Sequence, residues 1–152
     1  RHFELLAGCV AETEGTVDKF LGDGMMAFWG APVPQPDHAA RAVRAAAMIR
    51  ERLEEAGGAP LRLRLRIGIH TGPALVGNIG SRDRLNYTLV GDTVNVAQRL
   101  EQLGKDVAPG DEIVILVSAE TAAQAGDAGH LQPLGPHQLR GRGETVEVFR
   151  LA

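Results

Sequence analysis

Leu61 to Ile69 alternates without a break, with Leu61, Leu63, Leu65, Ile67 and Ile69 set against Arg62, Arg64, Arg66 and Gly68. A period of two puts all five aliphatic side chains on one side of an extended chain and would scatter them around a helix. The segment therefore predicts a strand with one buried face, the arginine stems covering the other. The rest of the chain has to supply what covers the aliphatic face.

Upstream, Asp37 is placed to cap a long helix running to about Ala56, and Gly57-Gly58 closes it. Its apolar material is Val43, Ala46, Ala47, Met48, Ile49 and Leu53, with Arg41, Arg44, Arg50 and Glu51 on the wet side. Residues 1–14 carry Phe3, Leu6 and Val10 at helical spacing, and Gly15 offers a C-cap. Thr16–Leu21 and Met25–Trp29 are β-prone runs around Gly22-Asp23-Gly24, which reads as a hairpin, and Pro32, Pro34 and Pro36 make a rigid connection. Downstream, Pro73 to Gly80 holds only the short apolar piece Ala74-Leu75-Val76. A polar loop then leads to Tyr87–Val90, and Asp92 or Thr93 can cap a helix reaching Leu103. Ile113–Val117 reads as a strand, Ser118 as the start of a short helix, and Thr145–Leu151 as a last alternating strand. The interleaving predicts one α/β (α+β) domain with a mixed, mostly antiparallel sheet covered by helices. No G-x-G-x-x-G opens a helix after the first strand, which argues against a doubly wound dinucleotide fold.

A chain of 152 residues suits one hydrophobic core, and 44% hydrophobic residues argue against disorder. The 16 basic and 19 acidic residues give a net charge of −3, which points to neither nucleic acid nor an anionic membrane as partner. Cys9 is the lone cysteine, which excludes an intrachain disulfide and a Cys-cluster zinc site, and fits a reducing, cytoplasmic setting. No apolar run is long enough for a transmembrane helix, although a parent protein could still be membrane-attached. The opening Arg1-His-Phe-Glu-Leu-Leu6 reads as the middle of a helix cut from a longer polypeptide.

Two segments carry chemistry. In Val17–Phe28, Asp23 can shape the turn as half of an Asp-Gly pair, or project a carboxylate over the sheet edge toward a hard cation. One carboxylate is too few for a two-metal site, so a second acidic ligand must come from elsewhere. Lys19, on the incoming strand, is either a solvated charge or a ligand contact. In Asn86–Arg99, Asn95 and Arg99 stand four apart and share a helix face, while Val96, Leu100 and Leu103 form a separate apolar stripe. Arg can hold a transferring phosphoryl group with fixed donors, and Asn can orient a hydroxyl or ring oxygen. Asp92 reads as a cap rather than a metal ligand, Thr88 as a base-reading hydroxyl or a plain strand residue, and His70 as structural.

Four ordered blocks then resemble the catalytic domain of class III adenylate/guanylate cyclases. They are Val17-x-Lys-Phe-x-Gly-Asp-Gly-x-Met-Ala-x-Trp29, Leu65-Arg-Ile-Gly-Ile-His-Thr-Gly72, Val76-Gly-Asn-Ile-Gly80 and Tyr87-Thr-Leu-Val-Gly-Asp-Thr-Val-Asn-Val-Ala-x-Arg-Leu100. Leu139-Arg-Gly-Arg-Gly143 resembles a C-terminal block. The resemblance implies a ferredoxin-like fold and two Mg²⁺ or Mn²⁺ ions per active site, with Asp23 as the second metal aspartate. It makes Lys19 the purine-reading lysine and Thr88 its partner in adenine selection. Asn95 would orient the ribose and Arg99 stabilise charge at the α-phosphate. Arg140, with Arg142 as the alternative, would hold the terminal phosphates. ATP would be converted to 3′,5′-cyclic AMP and pyrophosphate by attack of the ribose 3′-hydroxyl, in sites shared across a head-to-tail homodimer. Asp23 would serve one site while Lys19, Thr88, Asn95 and Arg99 complete the other. Lys19 with Thr88 resembles the ATP-type pair, whereas guanylate enzymes usually carry Glu and Cys there. A guanylate cyclase and a non-catalytic regulatory or dimerisation domain are the competing readings.

The family's first metal aspartate lies on an opening strand, and the 22 residues before Asp23 hold no such strand. Residues 1–152 are therefore expected to form an N-terminally incomplete cyclase domain, weakly active or inactive by itself, within a larger protein that carries regulatory domains.

Overall fold

A computed structural model describes residues 2–21, 24–31, 33–55, 65–73, 75–79, 86–139 and 143–152. The chain runs α1 (His2–Glu12), β1 (Thr16–Leu21), β2 (Gly24–Phe28), α2 (His38–Glu55), β3 (Leu65–Ile69), β4 (Leu75–Ile79) and β5 (Asn86–Val90). It continues through α3 (Asp92–Val107), β6 (Ile113–Ser118), α4 (Ala119–Ala125), β7 (Leu131–Gln138) and β8 (Thr145–Leu151). A four-stranded sheet has the order β3-β6-β8-β7, and β1-β2 and β4-β5 form antiparallel ribbons. Among the described pairings only β3–β6 is parallel. This is the mixed, mostly antiparallel sheet under helices that the sequence predicts, consistent with the ferredoxin-like expectation.

The core follows from β6, whose continuous apolar run is buried on both faces, as a central strand between two helical layers requires. Ile115 and Val117 face Val43 and Ala46 of α2 and Ala125 of α4. Val114 and Leu116 face Val96 and Leu100 of α3, together with Leu139 and Val148. A third cluster joins α1 to α2 through Leu6, Cys9, Ile49 and Leu53.

The arginine face of β3 is not the wet face that the alternation predicts. Ile67 packs toward α2 as expected, but α3 lies directly on the opposite side at Gly68. A Cβ there would collide with the backbone of Ala97 and Glu101 and come within 2.9 Å of Leu100 Cβ. Arg66 runs along α3 to its end, where the guanidinium donates to the carbonyls of Ala108 (3.2 Å), Asp111 (2.9 Å) and Glu112 (3.2 Å). A cation at a helix C-terminus satisfies carbonyls that have no intrahelical donor. Arg62 and Arg64 lie outside the described residues.

Two other expectations need correction, and one strand has no counterpart in the sequence reading. The left-handed residue after α1 is Glu14 (φ 63°), not Gly15. Gly15 N donates to Val10 O and Glu14 N to Ala11 O, the paired bonds of a Schellman motif. Gly15 is small for another reason: a Cβ would fall 2.5 Å from the Trp29 ring. Next, α3 continues past Leu103, because buried Gly104 packs against Arg66 and Val114 rather than ending the helix. Strand β7 holds Pro133, Gly135 and Pro136, residues that strand interiors rarely accept. At the sheet edge, with a register shift at Pro133/Gly135 and φ 83° at Gly135, those residues are tolerated.

Candidate functional site

The exposed face of α3 carries the clearest candidates. Asn95 is exposed and Arg99 half-buried, one turn apart, while Val96, Leu100 and Gly104 are buried behind them. Among the described residues no hydrogen bond or ion pair engages either side chain. An uncommitted amide and guanidinium on one helix face can grip an anionic, hydroxyl-bearing ligand. Their placement is firm because β3 fixes α3 along its length, at Gly68 in the middle and through Arg66 at the end.

The start of α3 differs from the sequence expectation. Gly91 (φ 129°) holds the N-cap position and no side chain caps the helix, so neither Asp92 nor Thr93 acts as the cap. The Thr93 hydroxyl donates to the carbonyl of Pro73 instead. Asp92 is the first helical residue, where a carboxylate favours the positive end of the helix.

Lys19 sits on β1 opposite Met26, and its side chain is 42% exposed. The preceding Asp18 falls at a register shift between Val17 and Lys19, and its side chain is only 1% exposed. Its carboxylate lies 3.6 Å from the Lys19 ammonium, a distance of ion pairing rather than hydrogen bonding. The bulge that buries Asp18 leaves no signature in residue order. Strand β1 also packs against β5, where Thr88 pairs with Gly77 of β4. β5 then passes through Gly91 straight into α3, so Lys19, Thr88, Asn95 and Arg99 come from elements that are successive neighbours. Asp23, Arg140 and Arg142 lie outside the described residues. Leu139, just before Arg140, is buried in the same cluster as Val96 and Leu100.

His70 belongs to a hydroxyl network at the end of β3, as its structural reading expects. His70 Nδ1 is 2.7 Å from Ser118 Oγ and 3.9 Å from Glu120. Ser118 caps α4 by accepting from Thr121 N, and Thr71 Oγ1 is 2.9 Å from Thr121 Oγ1.

Residues 1–151 match the family profile described as the Adenylate and Guanylate cyclase catalytic domain. The chain belongs to this family. It is 40% identical over 156 residues to Adenylate cyclase 1 of Rhizobium meliloti (strain 1021), a match covering 99% of this chain and 23% of that protein. The crystal structure of the adenylyl cyclase CyaB from P. aeruginosa superposes with a TM-score of 0.82 at 28% identity, covering 99% of this chain and 78% of that one. The guanylyl cyclase Cya2 superposes with the same TM-score, 0.82, at 33% identity, covering 99% and 76%. Equal likeness to an adenylyl and a guanylyl cyclase establishes the cyclase fold without choosing the purine. The cyclase domain spans about a quarter of the length of the curated relatives it matches, 23% and 27% for two of them.

Cyclase catalytic domains of this class generally use two divalent metal ions. Among the described residues no group of three His, Cys, Asp or Glu side chains could hold an ion. Asp23, the aspartate that the family resemblance assigns to metal, lies outside the described residues. No described helix is long and apolar enough to cross a membrane.

Proposed function

We propose that this cyclase domain serves an adenylate cyclase, which converts ATP to 3′,5′-cyclic AMP and pyrophosphate. The observation that carries the reading is the uncommitted Asn95–Arg99 pair on a helix held rigidly against β3. Asn95 orients the ribose. Arg99 donates to the α-phosphate as the 3′-hydroxyl attacks, and its fixed donors meet the charge that grows there. Lys19 supplies only donors, matching the acceptor on the Watson–Crick edge of adenine, and the Thr88 hydroxyl can accept from the adenine amino group. Guanine presents an N–H where adenine presents that acceptor, which disfavours Lys19. These contacts favour ATP over GTP.

Asp23 is assigned to Mg²⁺ or Mn²⁺, with the second carboxylate coming from a strand outside residues 1–152 in the parent protein. Two chains pair head to tail, Asp23 serving one site and Lys19, Thr88, Asn95, Arg99 and Arg140 completing the other. Further regulatory domains are expected in the parent, consistent with the small share of its relatives' length that the domain spans. A guanylate cyclase is the second reading, because the structural likeness to Cya2 equals that to CyaB.

The test is product formation by the full-length protein with Mn²⁺ and either ATP or GTP. Cyclic AMP should form and Asp23→Ala should abolish it. Activity that survives Asp23→Ala would sink the metal assignment, and a faster reaction with GTP would reverse the purine assignment.

A further inference from the structure

The first turn of α3 begins without a side-chain cap although Thr93 is at hand. Its hydroxyl goes to the Pro73 carbonyl in the segment that leaves β3. Gly72 leaves room for this contact, since a Cβ there would lie 2.8 Å from Thr93 Oγ1. The acceptor's own segment is anchored. Thr71 shares a hydroxyl hydrogen bond with Thr121, which is fully buried and also donates to the Ile69 carbonyl at 3.4 Å. His70 joins the same network through Ser118, whose side chain begins α4. The Pro73 carbonyl is therefore referenced to the β3, β6 and α4 framework, and Thr93 references α3 to it.

Residues two apart on a helix point to nearly opposite sides. With Thr93 turned toward residues 72–73, Asn95 is exposed on the far side. A small rotation of the first turn about the helix axis would swing the Asn95 amide away from its target, and the Thr93–Pro73 bond resists that rotation. Gly68 and Arg66 fix α3 farther along but do not hold this turn.

We propose that Thr93 is a positioning residue for the cyclase reaction, its hydroxyl on the Pro73 carbonyl fixing the first turn of α3 and so the placement of Asn95. The role of Asn95 rests on the cyclase reading above, whereas the clamp itself does not. The test compares Thr93→Val, which keeps the shape and loses the hydroxyl, with Thr93→Ser, which keeps the hydroxyl, in the full-length protein. Turnover of ATP with Mn²⁺ should fall about tenfold in Thr93→Val with KM changed less than about twofold, and Thr93→Ser should stay near wild type. Amide hydrogen exchange over residues 93–97 in the nucleotide-free protein should speed up in Thr93→Val and not in Thr93→Ser.

A loss in Thr93→Ser as large as that in Thr93→Val would show that keeping the hydroxyl does not keep turnover, and would overturn the proposal. Unchanged turnover in Thr93→Val would overturn it too, even with faster exchange. A wild-type protein that forms no cyclic nucleotide would overturn the cyclase reading and the positioning role with it. Exchange unchanged in Thr93→Val would remove the clamp independently of any activity.

Discussion

Gly68→Ala adds one methyl group at a position that touches no proposed ligand contact, and it should cost both stability and turnover. The methyl would lie 2.5 Å from Glu101 N and 2.9 Å from Leu100 Cβ, against 3.4–4 Å for an ordinary contact. The atoms it meets on Ala97 and Glu101 are helix backbone, which cannot rotate aside as the end of a long side chain can. Relief requires α3 to lift from β3 by on the order of 1 Å, and overpacking of this kind costs about 1–3 kcal/mol. The same lift carries Asn95 and Arg99 with it, and a displacement of about 1 Å at groups that align reactants lowers rates about a hundredfold. Urea denaturation reads the first effect and initial rates of cyclic nucleotide formation the second. Gly110→Ala is the matched control, because a Cβ there meets nothing within 4 Å. Wild-type stability and rate in Gly68→Ala would refute the claim that β3 sets the position of the α3 face.

Arg99→Ala should lower turnover about a hundredfold while nucleotide still binds, as for loss of one donor to transition-state charge; an unchanged rate would remove Arg99 from the mechanism. Lys19→Glu combined with Thr88→Cys should move the ratio of kcat/KM values from ATP toward GTP, and an unmoved ratio would dissociate these residues from base recognition. Cys9 is fully buried and burial pushes its thiol pKa up. A thiol reagent at neutral pH should label it more than about a hundredfold faster in urea than in the native state. Because the folded pKa is raised, this thiol's contribution to stability is complete below the unfolded value and lost as pH climbs through the folded one. Rapid native labelling would contradict the packing of α1 on α2.

Periodicity made most of the fold legible. The run at 113–117 and the stripe on α3 identify their elements, and Asn95 with Arg99 was readable as a shared face from spacing alone. What escaped depends on neighbours that sequence does not name. The alternation at 61–69 predicts two faces but not that a helix would cover the arginine side, so Arg66 as a carbonyl binder and Gly68 as a contact point were invisible. Local rules favoured Gly15 as the left-handed residue and Asp92 or Thr93 as the cap. Trp29 claimed the space beside Gly15, and the Pro73 carbonyl claimed the Thr93 hydroxyl. Prolines hid β7 because a penalty that holds within a sheet lapses at its edge. The burial of the Asp18 side chain depends on the bulge in β1, which residue order does not show.

The central claim is that Asp23 of one chain and Lys19, Thr88, Asn95 and Arg99 of the other form a cyclase site shared by two chains. Mixing full-length Asp23→Ala protein, inactive alone, with Arg99→Ala protein, about a hundredfold slower alone, tests it most directly. A mixed dimer would place both defects in one site and leave the other intact, so subunit exchange should restore about a quarter of wild-type cyclic AMP formation. A wild-type protein that makes cyclic AMP, combined with mixed dimers that recover none, would contradict the shared site.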